Sequence, residues 1–175
     1  MLDVAEVLLA RGVRYAVVGA MAAAVHGVVR ASLDADAVVA MQVREAGSLQ
    51  RALAEAGYSA ELRVGDFDDP IPALLAVHDT HGNRVDLLIG LRGLDPDALS
   101  RTRQVLLSGA VLQIIGLEDF VAMKAFAGSP VDLADAAAVL SQNRSAIDVT
   151  LLRSLGTKFG GDTAGILEQL LAVPG

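Results

Sequence analysis

The 175-residue sequence predicts a mixed α+β (α/β) fold: a small sheet flanked by helices, followed by a helical part. Two observations predict it. Every strand-like run lies before about residue 116, interleaved with helical stretches. From Leu117 onward the pattern is helical only. That order points away from a doubly wound parallel sheet.

The elements justify this in turn. Residues 2–11 place Leu2, Val4, Val7, Leu8 and Leu9 as in a helix that ends near Gly12. "RYAVVG" is a short apolar run closed by glycine and reads as a buried strand. "AMAAAVHG" follows as a short helix of small residues, with Gly27 as its C-terminal stop. "LDADAVVA" reads as the second strand. "REAGSLQRALAEAG" reads as a helix, with Leu49 and Leu53 four apart and Gly57 closing it. "YSAELRV" is a weak strand and "GDFDDPIP" a loop. "ALLAVHDTHGNRVDLLIG" gives two strands around a turn at "HGN". Residues 95–107 read as a helical connection, and "AVLQIIG" as a further strand. Helices are then expected over 117–127, 130–142, about 148–156 and 162–172, with Asp148 and Asp162 as N-caps.

Composition narrows the classes. Hydrophobic residues make up 53% and charged residues 20%, so a packed core is affordable and disorder is not the main state. Aromatics are 3%, which leaves Leu, Val and Ala to fill the core. There is no cysteine, so disulfides, thiolate metal sites and a Cys nucleophile are excluded. The net charge is −7, arginines are scattered singly and only Lys124 and Lys158 are lysines; no extensive nucleic-acid surface is expected. The N-terminus has Asp3 and Glu6 early and no basic region. The longest apolar stretch, Tyr15 to Val29, is broken by Gly19, His26 and Gly27 and falls short of the ~20 residues of a membrane helix. A soluble cytoplasmic protein without membrane contact is expected.

Asp34 and Asp36 interrupt an apolar strand. Residues i and i+2 share a strand face, so the two carboxylates project together with Cα atoms ~7 Å apart. Two like charges so placed are costly unless something positive lies between them. Hard divalent cations such as Mg²⁺ take oxygen ligands of this kind. Asp86 in "RVDLLIG" interrupts another apolar strand and is the candidate third ligand; such sites clamp the oxygens in phosphoryl chemistry. The plainer alternatives are that Asp34 caps a turn after "RAS" and that Asp86 pairs with Arg84 or another arginine. "DFDD" at 66–69 and "DPD" at 95–97 have similar spacing but lie among proline and polar residues, and read as solvated.

Gly19 stands where a strand meets a helix. Glycine there lets backbone N–H groups approach a phosphate, or simply makes a tight turn. Leu117, Phe120, Val121 and Lys124 follow one helix face, so Lys124 looks inward and needs an anion. That anion is a nucleotide phosphate, or Asp132 or Asp135, the further alternative being a side chain that snorkels to water. Arg30 and Arg84 flank the carboxylate strands, within reach of a phosphate or as surface charges. His26 reads as a helix-end residue. Asp132 and Asp135 read as structural partners of Lys124 or Arg144.

A strand ending in glycine, a short helix, D-x-D on the next strand and a later third Asp resemble the nucleotidyltransferase superfamily. Three blocks carry the resemblance: "VVGAMAAAVHGVVRASLDADAVV", "NRVDLLIG" and "GLEDFVAMKAFAGSPVDLADAAAVL". They occur in the family's order between Tyr15 and Leu140. Within the superfamily they are most similar to small bacterial members that include the type IV toxins of abortive-infection systems. The chain departs from the pattern at Ala20, where the family has a second Gly or Ser, at Ser32, where Thr is expected, and at "GSPVD", which lacks a basic residue before Asp132.

The resemblance implies a nucleotidyltransferase-like core over 1–116, with 117–175 as a helical part packed on it. It implies transfer of a nucleoside monophosphate from an NTP to a hydroxyl on a small molecule, protein or RNA. Asp34, Asp36 and Asp86 would be both catalytic and metal residues, holding one or two Mg²⁺ ions, and Asp86 would receive the acceptor's proton. Gly19, Ala20, Arg30, Ser32 and Lys124 would meet the nucleotide. The alternative is a catalytically inactive member of the fold, or a toxin–antitoxin component, acting through a protein partner or as a homodimer.

Overall fold

The computed structural model describes residues 1–173; the last two residues of the expected 117–175 helical part lie outside them. Seven strands form one mixed sheet. Helix α1 (Leu2–Ala10) leads into β1 (Tyr15–Val18), α2 (Gly19–Val25) and β2 (Asp34–Val39). A 3-10 turn (Val43–Glu45) precedes α3 (Ala46–Glu55), which is followed by β3 (Ser59–Val64), β4 (Ala73–His78) and β5 (Arg84–Ile89). After a second 3-10 turn (Ala98–Ser100) come β6 (Arg103–Leu107) and β7 (Ala110–Ile114). Four helices close the chain: α4 (Leu117–Ala127), α5 (Pro130–Gln142), α6 (Val149–Phe159) and α7 (Thr163–Ala172). Among the described residues no helix is long and apolar enough to cross a membrane.

The sheet order is β3-β4-β5-β2-β1-β7-β6. β2–β5 and β1–β7 are parallel and every other neighbouring pair is antiparallel. Side chains alternate across the sheet. Ala35, Ala37 and Val39 of β2 lie in register with Val85, Leu87 and Ile89 of β5, and those with Val77, Leu75 and Ala73 of β4. This face is the dry one, with Ala37, Leu75, Leu87 and Ile89 fully buried. The opposite face carries Asp34, Asp36 and Val38 beside Arg84, Asp86 and Leu88. Register alone therefore gathers the charges that interrupt the strands onto one side.

The alanines of α2 let it lie close on β1 and β2, and Ala22 and Ala23 are fully buried. One hydrophobic cluster runs from Val4 through Phe120 and Leu152 to Leu167. Asp148 caps α6 by accepting from the Leu151 amide at 2.9 Å. Asp162 sits at the N-cap of α7 but its side chain makes no capping hydrogen bond.

The expected helical connection over 95–107 is overturned in its second half. Residues 103–107 are β6, the edge strand of a hairpin with β7. Ser108 and Gly109 form its two-residue turn, with φ of 50° and 86°. Positive φ at both turn residues matches the right-handed twist of a hairpin. The Ser-Gly pair between two apolar runs is the signal that outweighs helical periodicity there.

Candidate active site

Asp36 and Asp86 are direct neighbours across the parallel β2–β5 pair, and Asp34 is the neighbour of Arg84. Strands lie ~4.8 Å apart, so three carboxylates and one guanidinium occupy a small rectangle on the sheet. Arg84 donates to both oxygens of Asp86, from Nε at 2.8 Å and from an Nη at 2.9 Å. Asp86 thus takes up the plainer alternative read from the sequence. Asp34 and Asp36 have no ion pair among the described residues. Burial first, and then the neighbouring Asp86, push the Asp36 carboxyl above its ordinary pKa, while Lys124 draws it back. The rectangle sums to −2, three negative charges and one positive.

Gly19 abuts Asp36. Its φ is +61°, a backbone conformation that costs other residues energy. A Cβ placed there would overlap the Asp36 carboxylate. The glycine is thus both the strand-to-helix turn and the gap into which Asp36 fits. Ala20, which follows, is buried in α2.

Helix α4 lies across a cavity from Asp36 and Gly19. Gly19, Arg30, Asp36, Leu88, Phe120, Met123 and Lys124 line a cavity of about 300 Å³. Lys124 lies near the Phe120 ring and bridges two carboxylates of α5, Asp132 at 2.6 Å and Asp135 at 3.0 Å. Arg30 donates to Asp135 at 3.1 Å. Burial pushes Asp132 up, but the hydrogen bonds from Lys124 and Ser129 outweigh it and hold the group below the ordinary carboxylate range. Lys124 and Arg30 are therefore fixed at the cavity wall by the aspartates of α5, whose partners do not include Arg144.

A second, adjoining cleft of about 500 Å³ is lined by Ala20, Arg30, Ser32, Asp34 and Arg84, with Asp3 and Asn83 opposite. Arg30 belongs to both. Ser32 is spent locally, its hydroxyl donating to the Asp34 carbonyl at 3.0 Å. Asp3 and Asn83 gave no signal in the sequence, since Asp3 reads as a polar position of the first helix and Asn83 as part of the "HGN" turn. His26 lines neither cavity. It is buried at the end of α2, its Nε2 is 2.9 Å from the Ile115 carbonyl, and burial lowers its pKa.

The donor set, carboxylate oxygens only, is of the kind a hard cation takes, and the half-buried Asp36 carboxylate has no ion-pair partner among the described residues. Among the described residues no three His, Asp or Glu side chains converge as a ready ligand group. Both oxygens of Asp86 are engaged by Arg84.

The expectation that "DPD" is solvated is corrected. Asp95 is buried and held by Lys158 and Arg101, and accepts from the Asp97 amide at 2.8 Å. Arg101 also grips Asp119 with two hydrogen bonds, at 2.8 and 2.7 Å. Asp95 lies below the ordinary carboxylate range, mainly through Lys158. This cluster ties the segment after β5 to α4 and α6.

No family model and no curated protein sequence matches the chain. Solved structures do match it in fold. A nucleotidyltransferase-like antigenic protein from Paracoccidioides brasiliensis aligns with a TM-score of 0.53 at 16% identity, over 97% of this chain and 89% of its own. ANT(2″)-Ia, solved in complex with adenylyl-2″-tobramycin, aligns at 0.57 and 10% identity over 95% and 94%. The lincosamide antibiotic adenylyltransferase LnuA, solved with lincomycin, aligns at 0.51 and 13% over 80% and 94%. The chain has the fold of these nucleotidyltransferases.

Proposed function

We propose that the protein transfers a nucleoside monophosphate from an NTP to an acceptor hydroxyl. The observation that carries this reading is the rectangle of Asp34, Asp36, Asp86 and Arg84, a net −2 seated on apolar strands, with Asp36 lining a cavity that Lys124 and Arg30 also line. The nucleotidyltransferase fold agrees with it. Two of the matched structures are, by name or bound product, adenylyl-transfer proteins that act on antibiotics.

In this reading Asp34 and Asp36, joined by Asp86, would hold Mg²⁺. The ion, when bound, supplies charge neutralisation for the triphosphate and for the departing pyrophosphate. The residues of the chain do the rest. Lys124 and Arg30 face the 300 Å³ cavity and are placed to meet phosphate oxygens. Gly19 keeps the approach to Asp36 free of side chain. The acceptor hydroxyl forms a new oxygen–phosphorus bond at the α-phosphate as the bond to the bridging oxygen breaks. Pyrophosphate leaves with the bond's electron pair, and Asp86 takes the hydroxyl proton.

The 1–116 part is proposed as the catalytic core and the helical remainder as the wall that brings Lys124. The acceptor is an alcohol entering through the 500 Å³ cleft beside Asp34 and Arg30. A second reading has one observation in its favour. With Asp86 engaged by Arg84, an inactive binding protein of the same fold is self-consistent. Melting the wild type and Asp34→Ala/Asp36→Ala with each of four NTPs, with and without Mg²⁺, separates the two. Stabilisation by an NTP that needs Mg²⁺ and vanishes in the variant is expected. No shift with any NTP favours the inactive reading.

A further inference from the structure

Arg84 is the feature of the rectangle that the proposed reaction leaves without a task. It sits two residues before Asp86 on the same strand face, and its guanidinium takes both Asp86 oxygens. Its Cα neighbour across β2 is Asp34. It also lines the 500 Å³ cleft with Arg30 and Ser32, so it has somewhere to go. About a third of the Arg84 side chain is exposed, against 16% for Asp86. A guanidinium fork fits a carboxylate and a phosphate equally well. A divalent cation and Arg84 compete for the two Asp86 oxygens, each of which already accepts from the guanidinium.

Building on the nucleotidyltransferase reading, we infer that Arg84 is an exchangeable counter-ion, holding Asp86 in the nucleotide-free protein and giving it up when the triphosphate offers Arg84 its own oxygens. The exchange conserves pairing. Arg84 moves from a carboxylate to a phosphate, and Asp86 is released to join Asp34 and Asp36 as a cation ligand. No bond is made or broken. Two consequences follow from the charges. Without nucleotide, Asp86 is withheld and cation affinity is weak. With nucleotide, affinity rises, and by reciprocity the cation tightens nucleotide binding by the same factor. The site then loads metal and nucleotide together, which disfavours filling by a stray cation alone. Arg84 acts through Asp86 and is thus a positioning residue for the cation and a ligand for the phosphate.

The test is Mn²⁺ binding followed by electron paramagnetic resonance, with and without an excess of the NTP that stabilises the protein, for wild type and Arg84→Gln. Wild type is expected to bind Mn²⁺ about tenfold more tightly with the nucleotide than without it. Arg84→Gln is expected to bind Mn²⁺ about tenfold more tightly than wild type without nucleotide, and to gain little when the nucleotide is added. Arg84→Lys keeps the charge and loses the fork, and should fall between the two; it serves alone if Arg84→Gln does not fold. Tighter Mn²⁺ binding in Arg84→Gln with the nucleotide effect intact would mean that Arg84 acts only as a distant charge, and would overturn the exchange. Equal affinity in wild type and both variants overturns it as well. Absence of Mn²⁺ binding in every protein, with or without any NTP, overturns the nucleotidyltransferase reading and the exchange with it.

Discussion

Two of the charge groups in this small protein are built in opposite ways. The group formed by Asp95, Arg101, Asp119 and Lys158 has two negative and two positive members. Its carboxylates are almost fully buried, and each has a partner of the opposite sign. The group formed by Asp34, Asp36, Asp86 and Arg84 has three negative members and one positive, and leaves Asp34 and Asp36 unpaired. A buried group that closes on itself fastens segments together. A group that stays open keeps an affinity that something else must satisfy. Their effects on pKa agree: Lys158 holds Asp95 down, whereas burial and Asp86 drive Asp36 up.

The comparison can be broken hardest at the closed group. Arg101→Met leaves Asp119 buried without its partner, a change that costs ~3–5 kcal/mol. Chemical denaturation should show that loss, and nucleotide binding by the protein that remains folded should be unchanged. A loss below ~1 kcal/mol would mean that the group does not fasten the fold.

Gly19→Ala comes next. It forces a positive φ on alanine and a methyl group against the Asp36 carboxylate. A loss of about 1–3 kcal/mol is expected. Unlike Arg101→Met, the folded fraction should also lose its Mg²⁺-dependent response to NTP in a thermal melt.

Asp36→Asn sharpens the contrast through its sign. The folded-state pKa of Asp36 is raised, so the folded protein holds its proton more firmly than the unfolded chain does. The charged form therefore costs stability. That cost is absent below the ordinary carboxylate pKa, grows as pH rises through the raised value and is complete above it. Asp36→Asn should melt a few degrees higher than wild type at pH 7, since ~1 kcal/mol moves Tm by ~2–4 °C in a chain of this size. The gain should vanish in acid. Asp95→Asn should do the opposite, because a lowered pKa means stability present at neutral pH and lost as pH falls through the folded value.

The smallest effect is expected at the exposed pair Arg153–Glu168, closed at 2.6 Å on the surface between α6 and α7. Glu168→Gln should change stability by less than ~1 kcal/mol and leave binding untouched. It marks the scale below which ion pairing says little about either group.

The open group was legible in the sequence and the closed group was not, for a physical reason. Asp34, Asp36 and Asp86 each break an apolar strand; periodicity places Asp34 and Asp36 on one face, and the β2–β5 register adds Asp86 to it. Asp95 sits beside a proline in a polar stretch, and its partner Lys158 lies 63 residues further on. Nothing local reports that distance. The four C-terminal helices were legible from their periodicity, whereas β6 was not, since five residues are too few to show one and its local signal is the Ser108–Gly109 turn that follows it. Lys124 was legible as an inward-looking cation, and the sequence left its anion open. The structure gives it both Asp132 and Asp135.

The central claim is that the open group takes a divalent cation together with a nucleotide. A thermal melt of wild type and Asp36→Asn at pH 7, each with Mg²⁺ alone, a mixture of the four NTPs alone, and both together, tests it most directly. Wild type should be stabilised chiefly by the combination, and Asp36→Asn should start higher and not respond. Equal responses in the two proteins, or none in wild type, would contradict it.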